Sequence, residues 1–201
     1  MIDGIWRRAA GPLLDRWGAA LAARGIGANE VTLAGLALGL LASVLIALEA
    51  PLAALPPLLA SRLADGLDGA VARAKGKTEF GGYLDILCDF AFYGTVPFAF
   101  VLMDPAANGA AGAFLLLSFY VNGTSFLAFA ALAAGRGLET DARGEKSLYF
   151  TAGLLEAGET IAFFVLIGLF PSAFAPLAWI FGALCFVTAG ARLALARRTF
   201  Q

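Results

Sequence analysis

Two long stretches of this chain, Pro105 to Gly135 and Thr160 to Ala191, carry no charge, and Val31 to Leu48 is a third, apolar and uncharged. About 20 apolar residues in helical form cross the hydrocarbon core of a bilayer. The run from Thr160 is too long for one crossing, and Pro171 and Pro176 divide it, because proline ends or kinks a helix. Two more apolar segments, near 52–73 and 80–103, contain acids. The expected fold is therefore an all-α integral membrane protein. Its six transmembrane helices are predicted near 30–49, 52–73, 80–103, 110–134, 147–170 and 174–196. Composition agrees: 60% of the residues are hydrophobic and 14% charged, against roughly 45–50% and about 25% in soluble domains.

The N-terminal segment follows a different rule. Trp6, Ala10, Leu13, Trp17 and Leu21 share one helical face, with Arg7, Arg8 and Asp15 away from it. Residues 1–28 are thus predicted to form an amphipathic helix on the membrane surface, the alternative being a short helix packed on the bundle. Residues 29–201 would form the six-helix domain. With six charges and no long apolar core in its first 24 residues, the segment does not read as a cleavable signal peptide.

Charge also orients the chain. The predicted loops at 49–52, 104–109 and 171–174 hold no Lys or Arg, whereas 74–79, 135–146 and both termini hold eleven between them. Positive residues stay on the cytoplasmic side, so both termini are expected there, in an inner or plasma membrane. A net charge of −1 excludes a strongly basic nucleic-acid binder. Histidine is absent, which removes His-dependent nucleophiles and imidazole zinc sites. Cys88 and Cys185 lie in apolar segments and read as packing residues.

Six carboxylates fall inside predicted spans, away from the span ends: Asp65, Asp68, Asp85, Asp89, Glu156 and Glu159. An aspartate at a helix centre costs about 2.5–3.5 kcal/mol on insertion scales, so intramembrane acids read as functional. Asp65 and Asp68 are spaced i, i+3, and Asp85 and Asp89 i, i+4, so each pair shares a helix face. At 1.5 Å per residue both pairs lie roughly 7–13 Å from the cytoplasmic ends of adjacent antiparallel helices. An all-oxygen layer suits a hard cation such as Mg²⁺ or Mn²⁺, and four acids suffice for two ions. Gly66, Gly69, Ala70, Ala72, Gly81 and Gly82 keep the neighbourhood small. Arg73 and Lys75 stand at the mouth, a combination that suits a phosphate or pyrophosphate.

These residues also carry a resemblance. Asp65-Gly-Leu-Asp68-Gly69-Ala-Val-Ala72-Arg73, seven residues, then Gly81-Gly-Tyr-Leu-Asp85-Ile-Leu-Cys-Asp89 resembles the signature of the CDP-alcohol phosphotransferases. All eight fixed positions are filled, with a gap one residue shorter than the common form. The resemblance implies transfer of a phosphatidyl group from a CDP-activated lipid, such as CDP-diacylglycerol, to a hydroxyl of a polar alcohol acceptor, releasing CMP. It implies that Asp65, Asp68, Asp85 and Asp89 hold two divalent cations, Mg²⁺ or Mn²⁺, and that Asp89 is also the base. Gly69, Arg73 and Thr32 would contact the CDP moiety, and the enzyme would be a homodimer.

An anionic acceptor would need further cations. Arg192, level with the acid layer, and Arg136, Arg143 and Lys146 in the nearest loop are the candidates, although juxtamembrane cations also meet lipid headgroups. Arg62 lies deeper, at the depth of Glu156 and Glu159, and is expected to pair with one of them, because an unpaired charge there is costly. Alternatively, one of those glutamates would bind a cationic acceptor. The rival class is a small secondary transporter that uses its acids to carry ions. Such sites favour the midplane and interrupted helices, and Pro56-Pro57 leaves room for one.

Overall fold

A computed structural model describes residues 2–136 and 157–201, with side chains described from Gly11 onward. Every regular element among the described residues is helical. The order is α1 (Ile2–Ala23), α2 (Ala28–Ala47), α3 (Pro51–Lys75), α4 (Glu79–Met103), α5 (Pro105–Gly135) and α6 (Ala157–Leu169), then a 3₁₀ turn (Pro171–Ala173) and α7 (Phe174–Phe200). Among them α2, α4, α5 and the segment ending in α7 are long and apolar enough to cross a membrane. α3 has the length but carries Arg62, Asp65, Asp68, Arg73 and Lys75. The described part of α6 is 13 residues, and the predicted start of that span at 147 lies outside the described residues.

Local chemistry sets the boundaries. The predicted loop at 104–109 is helical from Pro105. The Asp104 carboxylate accepts from Ala107 N at 3.0 Å, and proline at the first helical position has no amide to leave unsatisfied. At the other end of α4, the Thr78 hydroxyl accepts from Gly81 N at 3.0 Å. α3 stops at Gly76, whose φ of +104° suits a residue without a Cβ. Between α2 and α3 the left-handed position is filled by Glu49, at φ +61°. α3 continues unbroken through Pro56 and Pro57.

α2 packs along α3 and α4, α1 along α3, α5 along α4 and α7, and α3 also meets α6. Phe92, Phe100, Phe164 and Phe174 are fully buried. Phe100 stacks on Phe174 at 4.8 Å, and Phe163 stacks on Phe181 at 4.3 Å. Lipid tails are as apolar as these rings, so association inside a bilayer rests on close van der Waals fit and small residues at the contacts. Gly39 is one such contact: a Cβ there would lie 2.6 Å from Phe92 Cδ2 and 3.1 Å from Ser61 Oγ. Leu41, Val44, Leu117, Ile180 and Val187 point outward, as a lipid-facing surface requires. Cys88 and Cys185 are free and buried.

α1 is both a packed helix and an amphipathic one. Gly18 is buried against Ala70 of α3, and Leu14 approaches Gly66. Leu13 and Trp17, from the apolar face read in the sequence, stay exposed.

Candidate active site

α3 and α4 run side by side through the acid-bearing layer. Asp65 of α3 and Asp85 and Asp89 of α4 each present a carboxylate oxygen, and the three oxygens lie within 4.8 Å of one another. Helical spacing does this: residues four apart share a face, so α4 offers two acids to the α3 side. Asp68 is placed differently. It is 5% exposed, and the Thr32 hydroxyl of α2 donates to its Oδ2 at 2.6 Å. That hydroxyl is 3.0 Å from the Ala28 carbonyl, but with one proton to give, the nearer, charged acceptor is the stronger partner. A small cleft runs between these groups, lined by Thr32, Ser61, Arg62, Asp65, Asp68 and Asp89, with Leu36 and Cys88 beside them.

Arg62, expected to pair with Glu156 or Glu159, engages the aspartates, and Glu156 lies outside the described residues. Arg62 Nη1 donates to Asp89 Oδ1 at 2.9 Å and lies 3.6 Å from Asp65 Oδ1. Nη2 donates to Ser61 Oγ at 3.2 Å, and the guanidinium carbon sits 3.7 Å from the centroid of Phe92. The physical reason is helical phase. Arg62 and Asp65 are spaced i, i+3 and therefore point the same way, whereas matching by depth alone ignores direction. The same spacing rule used for the aspartate pairs, applied one turn earlier, finds Arg62 from sequence. Glu159 lies in the first turn of α6.

The remaining predicted residues divide. Gly69 faces open space except for Arg73 Nη1, 3.5 Å from where a Cβ would stand. Arg73 donates to Asp15 of α1 at 2.6 Å, and Lys75 donates to the carbonyls of Gly25 and Ile26 at 2.8 and 3.2 Å. The mouth of the cleft is therefore tied to the N-terminal helix. Arg192 is not brought to the acids. Its Nη1 donates to Ser125 Oγ at 2.6 Å and to Asn122 O and Oδ1 at 3.0 Å, linking α7 to α5. Arg136 donates to the carbonyls of Thr199 and Phe200 at 3.5 and 3.0 Å, at the end of α7. Arg143 and Lys146 lie outside the described residues.

The donor set fits a hard divalent cation. All candidate ligand atoms are carboxylate oxygens, they converge from two helices, and they can meet around one point.

The CDP-alcohol phosphatidyltransferase family model matches residues 26–194. The chain belongs to the CDP-alcohol phosphatidyltransferase family. It is an integral membrane transferase of phospholipid biosynthesis. It is 50% identical over 182 residues to the inner membrane protein YnjF of Escherichia coli strain K12, covering 90% of this chain and 88% of that one. A shorter match, 43% identical over 77 residues, links 38% of the chain to 41% of the archaetidylinositol phosphate synthase of Pyrococcus horikoshii. The fold matches the crystal structure of Mycobacterium tuberculosis phosphatidylinositol phosphate synthase (PgsA1) with CDP-DAG bound. The TM-score is 0.70 at 21% identity, over 91% of this chain and 92% of that one.

Proposed function

We propose that this enzyme transfers a phosphatidyl group from a CDP-activated diacyl lipid to a hydroxyl of a polar alcohol. The acceptor oxygen bonds to the lipid-bearing phosphorus, the bond from that phosphorus to the CMP oxygen breaks, and CMP leaves. The observation that carries the reading is the convergence of Asp65, Asp85 and Asp89 within 4.8 Å, beside Asp68. Asp65, Asp68, Asp85 and Asp89 would hold two divalent cations, Mg²⁺ or Mn²⁺. Bound there, the ions would neutralise charge developing on the pyrophosphate oxygens. Asp89 would take the proton of the attacking hydroxyl as general base; Arg62 engages it through Oδ1, and the carboxylate keeps a second oxygen. Gly69 and Arg73 would receive the CDP moiety, and Thr32 would fix the Asp68 carboxylate that borders it.

The loop cations favour both termini and the mouth of the cleft on the cytoplasmic side, where CDP and a water-soluble alcohol arrive while the acyl chains stay in the bilayer. With α3 and α6 as the charged and the partly described spans, the six-span, homodimeric arrangement remains our reading of the assembly. An acceptor-side role for Arg192 and Arg136 has less support than the CDP side, since their contacts link helices and cap a chain end.

The test is purified protein in nanodiscs with CDP-diacylglycerol, Mn²⁺ or Mg²⁺ and a panel of alcohols, with CMP and product lipid followed by mass spectrometry. Cation-dependent CMP release, abolished by chelator and reduced at least about a hundredfold in Asp89→Asn, is the expected result. An Asp89→Asn variant as active as the wild type would overturn the base assignment. No CMP release with any acceptor would overturn the reaction.

A further inference from the structure

Arg62 is placed where a resident cation belongs. Its side chain is 10% exposed, and it reaches two of the three converging carboxylates, Asp89 at 2.9 Å and Asp65 at 3.6 Å. It is clamped from behind by the face of Phe92 at 3.7 Å and tethered sideways to Ser61 at 3.2 Å. Its buried Nε is left without a hydrogen-bond partner. A guanidinium whose main purpose was to be fully satisfied would not leave a buried donor unmet. The side chain has taken the position that best serves the carboxylates instead.

Three carboxylates held within 4.8 Å repel one another, and desolvation inside a helix bundle makes that repulsion costly. A fixed positive charge relieves it, and a divalent cation relieves it more. Both compete for the same oxygens, because Nη1 uses Asp89 Oδ1 and approaches Asp65 Oδ1. The guanidinium has no deprotonated form to fall back on, so it cannot lose its charge to make room for an ion.

We propose that Arg62 is the built-in counter-ion of the aspartate cluster, which holds Asp65 and Asp89 in place before a divalent cation binds and gives up those contacts when it does. Arg62 is then a positioning residue that lowers the cluster's affinity for divalent cations and so keeps cation binding reversible. The inference rests on the reading of these aspartates as cation ligands, not on the identity of the acceptor.

The experiment titrates Mn²⁺ into the detergent-purified full chain, reading free Mn²⁺ by electron paramagnetic resonance and thermal stability in parallel, with no lipid substrate present. Arg62→Gln keeps a polar side chain, two bonds shorter, and removes the charge. It should bind Mn²⁺ about 10- to 100-fold more tightly than the wild type, the order of effect that a neighbouring guanidinium has on a carboxylate's affinity for a proton. Its melting temperature in chelator should fall below wild type, and its rise on adding Mn²⁺ should be larger. Arg62→Lys keeps the charge but loses the fork that reaches two carboxylates, so its affinity should lie between the two. If Arg62→Gln does not yield folded protein, the lysine variant carries the test alone.

Equal or weaker Mn²⁺ binding in the variants overturns the proposal, as does absence of Mn²⁺ binding in all three proteins. Affinities in the expected order from a chain that releases no CMP would support the proposal and overturn only the transfer reaction.

Discussion

Gly18→Ala probes the seam that joins the N-terminal helix to the helix carrying the first two aspartates. A Cβ at Gly18 would stand 2.5 Å from Ala70 Cβ, 2.8 Å from the Ala70 carbonyl carbon and 3.0 Å from Val71 N. Non-bonded carbons settle near 3.5–4.0 Å, so the two helices have to separate by about 1 Å. α3 cannot yield, because Val71 is fully buried and Ala70 nearly so; α1 moves instead. Adding a methyl group to a tight contact costs about 1–3 kcal/mol, and in a chain of this size each kcal/mol shifts the melting temperature by about 2–4 °C. The expected fall is therefore about 2–12 °C, measured by thermal unfolding in detergent or nanodiscs. Gly11→Ala is the matched control on the same helix: nothing lies within 4 Å of its Cβ, and replacing a helical glycine is favourable by roughly 0.5–1 kcal/mol. The retreat of α1 also pulls Asp15 from Arg73, now 2.6 Å apart, so the KM for the CDP-lipid should change in Gly18→Ala and not in Gly11→Ala. Equal melting temperatures for the two variants would refute the seam and, with it, the idea that α1 positions Arg73.

Three further substitutions separate fold from chemistry. Thr32→Val keeps the shape and removes the hydroxyl that donates to buried Asp68 at 2.6 Å; hydrogen bonds to charged groups contribute about 1.5–3 kcal/mol, so chemical denaturation should show that loss, and a stability equal to wild type would sink the assignment. Gly69→Ala meets only the flexible tip of Arg73 at 3.5 Å, so it should melt like the wild type while CMP release falls; unchanged kinetics would argue that no substrate approaches Gly69. Glu49→Gly should raise the melting temperature by about 2–4 °C, since the φ of +61° costs a residue with a Cβ roughly 1 kcal/mol; a fall would mean that the Glu49 side chain contributes more than its backbone costs.

The acid layer was legible because two periodicities coincide. The i, i+3 and i, i+4 spacings put each pair on one face, and the short segment between Arg73 and Gly81 brings the two faces together. What spacing does not specify is which three of four acids converge, because that depends on the rotation of α3 against α2 and α4. Asp68 turns toward Thr32 on α2, a contact between residues 36 positions apart. Arg192 shows the same limit. Its depth along α7 matched the acids, but its direction is toward Asn122 and Ser125 of α5. α5 starts at Pro105, ahead of the expected 110, for a local reason: Asp104-Pro105 reads equally as a loop and as a helix cap with proline at the first position.

The continuity of α3 and α4 bears on the rival reading of the acids as an ion carrier. Transport sites of that kind use unwound helices, whose freed backbone carbonyls help to bind the ion and whose halves can rock apart. Here α3 is helical from Pro51 to Lys75 straight through Pro56 and Pro57, and α4 is helical from Glu79 to Met103. The ligand atoms are all side-chain carboxylates, projected from two continuous helices that share α2 as a common neighbour. Such a frame holds charges at fixed spacing rather than alternating their exposure. That is the requirement of phosphoryl transfer, where positioning and electrostatic stabilisation supply nearly all of the catalysis.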